Sequence, residues 1–241
     1  MYFGLLFTII TGLFFIIGIL CLKTSKNKEL TACFTVSLAF IVLFGLLFFD
    51  LLPELIETNN YYLLIPIIFG LLILVILDKF IPHHHHEHKE ECDNHLEHNE
   101  HLNHISVVTI IALGIHNMIE GLSLYSLTLT SVKSGLLMML GISLHNIPLG
   151  FQIGNSLSNN KNNKILISML CISSFIGALI IILFGSLSDI VINILLSLTF
   201  GMLLYILIFE LFNEVRINIK KKETIYGLIT GIVILIIMNV L

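Results

Sequence analysis

Residues 113–121 read Leu113-Gly114-Ile115-His116-Asn117-Met118-Ile119-Glu120-Gly121, and residues 140–150 read Leu140-Gly141-Ile142-Ser143-Leu144-His145-Asn146-Ile147-Pro148-Leu149-Gly150. Each places a His-Asn pair in the middle of an apolar run, 105–128 and 134–156 respectively. At 1.5 Å per residue such runs are long enough to cross roughly 30 Å of hydrocarbon. Six further runs of this kind lie outward from the pair, at 3–22, 31–53, 61–81, 164–186, 189–214 and 224–241. With 56% hydrophobic residues, 12% charged residues and a mean hydropathy of +1.00, the chain leaves the soluble range. It reads as an all-α integral membrane protein with eight transmembrane helices. The first run is too long for a signal peptide and lacks the basic and small-residue features of one, so it is expected to remain a helix.

The chain divides into transmembrane helices 1–3 over residues 1–81, a His-rich loop over 82–104 and helices 4–8 over 105–241, forming a single membrane domain. A net charge of -4 with 12 Lys+Arg leaves no basic surface for a phosphate backbone, which excludes nucleic acid as a partner. Cys21, Cys33, Cys92 and Cys171 are far apart, form no CxxC pair and indicate neither a disulfide framework nor a thiolate metal site. Positive charge is retained on the cytoplasmic side of membranes, and 11 of the 12 Lys/Arg fall in the odd-numbered loops. Only Lys133 falls in an even one. Both termini are therefore expected outside, and the loop at 82–104 in the cytoplasm.

Internal repetition supports the count. Phe49-Asp50-Leu51 with Glu54 ends the second run, and Phe209-Glu210-Leu211 with Glu214 ends the seventh. The two copies cross in opposite senses, as inverted repeats of helices 1–3 and 6–8 around a central 4/5 pair require. The His-Asn runs echo each other in the same way.

Polar groups in hydrocarbon each cost a few kcal/mol, so they are rare there and face partners or water. His116 and Glu120, four residues apart, share one helix face and can bind one cation together. His145 from the next helix completes three ligands. Asn117 and Asn146 either join that set or hydrogen-bond to neighbouring helices, and Ser143 lies on the same route. Pro148 removes a backbone bond and predicts a helix broken around the site. Gly121 and Gly150 allow close helix approach. Two imidazoles and a carboxylate suit Zn²⁺ best and Fe²⁺, Co²⁺, Ni²⁺ or Mn²⁺ less selectively. The imidazoles must be neutral to bind, so affinity is expected to fall as pH drops through about 6.5.

These motifs resemble those of the ZIP (Zrt/Irt-like) divalent metal transporters over essentially the whole chain. His116-Asn117-Met118-Ile119-Glu120-Gly121 is similar to the family's fourth-helix HN-x-x-E/D-G signature, and His145-Asn146-Ile147-Pro148-Leu149-Gly150 to its fifth-helix HN-x-P-E-G motif. Asp50-Leu51-Leu52-Pro53-Glu54 is similar to the LLPE ending of the second helix. The resemblance implies transport of zinc, or of iron or manganese, into the cytosol by movement of a bundle containing helices four and five. It also implies a homodimer in the cell membrane. Leu149 stands where members with a two-metal centre carry an acid, and Ser174-Phe175-Ile176-Gly177-Ala178 replaces a sixth-helix E-P-x-G-A motif. A single-metal centre is therefore expected. Ile119 replaces a fourth-helix proline and leaves that helix more regular.

Asp50 and Glu54 at the outer side, and Glu210 and Glu214 at the inner side, form the expected cation pathway. The segment 82–104 holds His83, His84, His85, His86, His88, His95, His98, His101 and His104, nine of the eleven histidines, among six acids. It shows no apolar periodicity and is expected to be a disordered cytoplasmic metal-binding loop. No HExxH motif and no nucleotide-binding loop are present, so an enzyme is not expected and no cofactor is needed as a catalyst. The metal is cargo. The alternatives are an intramembrane zinc hydrolase, with Glu120 as base, and a non-transporting metal sensor.

Overall fold

The computed structural model describes residues 2–58, 60–80, 95–156, 161–185 and 188–240. Eight helices run through them: α1 (Tyr2–Thr24), α2 (Lys28–Glu57), α3 (Leu64–Phe80), α4 (His95–Thr130), α5 (Val132–Ser156), α6 (Lys161–Phe184), α7 (Asp189–Asn218) and α8 (Lys222–Val240). Each coincides with one of the apolar runs. Helices α1, α2, α5 and α7 are long and apolar enough to cross a membrane, with shorter apolar stretches at Tyr61–Ile76 and Ile167–Leu183.

The outward faces are apolar, unlike those of a water-soluble protein, around an interior that is itself largely apolar. Leu6, Ile9, Leu13, Ile16, Ile17 and Leu20 line an exposed stripe of α1, and Ile225, Ile229, Ile232, Val233 and Ile236 line one of α8. Both follow helical spacing, so each helix turns a wholly apolar face outward, where only lipid would accept it. Thr8, Thr11, Ser37, Ser123, Ser143 and Thr199 are buried instead.

Two groups of helices emerge from the packing. In one, α1 lies along α5 and α4 along α6; in the other, α2 lies along α8 and α3 along α7. The groups meet where α2 touches α5 and α4 touches α7. Exchanging α1 with α6, α2 with α7, α3 with α8 and α4 with α5 maps the α1/α5 pair onto α6/α4, and α2/α8 onto α7/α3.

Close contacts explain the pairs. A Cβ on Gly18 would collide with the carbonyl of Ile147, and one on Gly150 with that of Phe15; Gly121 and Gly177 are held in the same way against Ser174 and Met118. Reciprocal glycines let both pairs of backbones approach closely. Residue numbers rise together along α1/α5, α4/α6 and α2/α8, so these partners run parallel.

Three features depart from the sequence reading. Helix α4 begins at His95, so residues 95–104, expected to lack structure, are helical. Extending an existing helix by a residue is far easier than nucleating one, and Leu96, Glu97 and Leu102 are good helix formers. Helix α5 runs unbroken from Val132 to Ser156 with Pro148 inside it. One lost backbone bond does not end a helix packed along α1. The irregular turns lie elsewhere, as π-turns at Leu46–Leu51 in α2 and Ile206–Leu211 in α7. These turns enclose the repeated Phe49-Asp50-Leu51 and Phe209-Glu210-Leu211.

Candidate metal centre

Helix α4 supplies His116 and Glu120, and α5 supplies His145, all within 1% of full burial. Only Ser131 separates the two helices. Its hydroxyl caps α5 by accepting from the Ser134 N–H at 3.2 Å, so the hairpin is tight. His145 lies thirteen residues into α5, which at 1.5 Å per residue is about 20 Å from its start.

The His116 Nε2 to Glu120 Oε1 distance is 3.2 Å and the His145 Nε2 to Glu120 Oε1 distance 3.6 Å. One donor atom from each of the three residues lies within 4.8 Å of the others. A tetrahedral zinc ion about 2.1 Å from each ligand separates ligand atoms by roughly 3.4 Å, so the two distances from Glu120 to the imidazoles match. Although they are within ion-pair reach, His116 Nε2, His145 Nε2 and both Glu120 oxygens make no aligned hydrogen bond. A buried carboxylate without partners is strongly unfavourable unless a cation takes its lone pairs. The His145 Nδ1 sits 3.4 Å from the Gly141 carbonyl, which turns Nε2 toward Glu120.

Asn146 donates through Nδ2 to the Thr11 carbonyl of α1 at 3.1 Å, while its Oδ1 is buried without a partner. Neither polar atom of Asn117 has a partner, and the buried Ser143 hydroxyl has none either. Leu149 packs in an apolar cluster with Phe15, Leu170, Leu113, Ile167 and Cys171. Ser174 is buried with its hydroxyl unpartnered.

Asp50 and Glu54 are half-buried and line a cleft of about 340 Å³ together with Glu57 and Lys133. Glu210 is half-buried, and Glu214 is exposed with Asn218 donating to it at 3.3 Å. His83, His84, His85, His86 and His88 lie outside the described residues; His95, His98, His101 and His104 lie on the first turns of α4.

Sequence reasoning missed Thr11 and the polar link between Ser123 of α4 and Thr199 of α7, whose hydroxyls are 2.7 Å apart. Ser123 also donates to the Leu195 carbonyl at 3.1 Å. The signal was present, since Ser123 is three residues beyond Glu120 and shares its face.

A family profile described as ZIP zinc transporter matches residues 82–239, more than half of the chain. The chain belongs to the ZIP zinc transporter family. A relative, the zinc transporter ZupT of Clostridium perfringens (strain 13 / Type A), is 28% identical over 207 residues, covering 75% of this chain and 71% of the relative. ZIP members are metal-ion transporters and not enzymes, so the chain is an integral membrane transporter of divalent metal, and the hydrolase reading falls.

Proposed function

We propose that this ZIP protein carries Zn²⁺ into the cytosol by alternating access through one intramembrane centre made by His116, Glu120 and His145. The observation that carries this reading is the convergence of three fully buried, unpartnered donors within 4.8 Å of one another from two helices. Fe²⁺, Mn²⁺, Co²⁺ and Ni²⁺ are the secondary cargoes. Asn117 and Asn146 flank the centre, with Ser143 on the route. Asp50 and Glu54 receive ions outside, and Glu210 and Glu214 release them inside.

Eight alternating spans with inverted repeats are the proposed arrangement. Its support is that the parallel pairs α1/α5, α2/α8 and α4/α6 each join helices of equal parity, as alternating crossings demand. Both termini are placed outside, the His-rich loop in the cytoplasm and the protein in the cell membrane as a homodimer. The α1/α4/α5/α6 group would then move the centre against the other four helices.

The test is Zn²⁺ influx into sealed proteoliposomes holding a fluorescent reporter, with intact protein and an H116A/H145A variant at matched reconstitution. Saturable influx lost in the variant is the expected result. Binding without influx by intact protein would overturn transport in favour of sensing.

A further inference from the structure

Lys133 stands in the first turn of α5, exposed, on the wall of the cleft lined by Asp50 and Glu54. Facing it in that cleft are Asp50, Glu54 and Glu57, which recur at i, i+4 and i+7 and so share one face of α2. Among the described residues lining the cleft, Lys133 is the single basic one, and Leu46, Leu127 and Leu137 form apolar walls that concentrate the field. A lysine at a helix N-terminus opposes the helix dipole, so its position gains nothing for α5 itself. The oppositely charged groups that share the cleft with it are these three carboxylates, and Asp50 is the one within its direct electrostatic reach. Those carboxylates belong to one helix group and Lys133 to the other, on the same helix as His145.

We propose that Lys133 is a tethered cation that competes with the incoming divalent ion for Asp50, Glu54 and Glu57. It is a specificity-determining residue: its ammonium offsets one of the three carboxylate charges, and a divalent ion that takes those carboxylates must displace it. The proposal rests on the transport reading above.

Zinc influx kinetics of K133A, K133E and K133R reconstituted in proteoliposomes test it. K133A is expected to lower KM about five-fold, K133E to lower it further and K133R to keep the intact value, as a unit charge in a solvated cleft dictates. In a D50N/E54Q/E57Q background, K133A is expected to leave KM unchanged. An unchanged or raised KM in K133A, or a KM for K133R shifted as far as for K133A, would overturn the proposal. A transport-independent measurement separates the two readings: equilibrium binding of Zn²⁺, with and without K133A, to H116A/H145A protein whose nine loop histidines are replaced by glutamine. Binding in the cleft tightened about five-fold by K133A supports the competition even without influx, and equal binding refutes it.

Discussion

Helices α4 and α5 carry the same His-Asn opening and the same closing glycine, yet they differ one turn beyond the histidine. Four residues after His116 stands Glu120, fully buried with both oxygens unpartnered between two imidazoles. Four residues after His145 stands Leu149, packed against Phe15 and Leu170. One helix thus offers a charge that requires a cation, and the other closes the equivalent position with hydrocarbon. On α6, Ser174 stands where the motif it resembles carries a glutamate, so that acid is absent as well. The difference puts a buried charge in one half of a repeated sequence pattern and apolar packing in the other. A polar group in hydrocarbon persists only where its partner persists.

The largest effect should follow from breaking the charged half. Glu120→Gln keeps the shape but removes the charge, and zinc influx should fall at least about 100-fold, since a ligand and its electrostatic attraction are lost together. Gly150→Val, at a position shared by both helices, forces a side chain into the Phe15 carbonyl. It should destabilise the α1/α5 pair by about 1–3 kcal/mol, read as a lower thermal midpoint in detergent. Asn146→Ala removes the bond to Thr11 and should cost about 0.6–1 kcal/mol by the same assay. The comparison is sharpened by restoring acids to the silent half. L149E/S174E should raise bound zinc from one to two ions per chain in equilibrium dialysis, using protein whose loop histidines are replaced by glutamine.

Much of this was legible before any coordinates. The eight helices follow the eight apolar runs because chain length against bilayer thickness leaves little choice. His116, Glu120 and His145 stood out because each is costly in hydrocarbon. What escaped depends on packing between distant segments. The Asn146 bond to Thr11 and the Ser123 contact with Thr199 join residues whose separation says nothing of their meeting. The π-turns around Asp50 and Glu210 rest on backbone bonds from Leu52 and Phe212 to carbonyls five residues back. Leucine and phenylalanine side chains do not announce such a shift. Pro148 misled in the opposite direction, since the helix on α1 holds its course through a missing bond.

The central claim is a single zinc centre of two imidazoles and one carboxylate within the membrane. Zinc K-edge absorption on zinc-loaded protein, with the nine loop histidines replaced by glutamine, addresses it directly. The account predicts one zinc per chain with two imidazole nitrogens at about 2.0 Å and one or more oxygens, lost in H116A/H145A. Sulfur in the coordination shell, or an unchanged spectrum and stoichiometry in that variant, would contradict it.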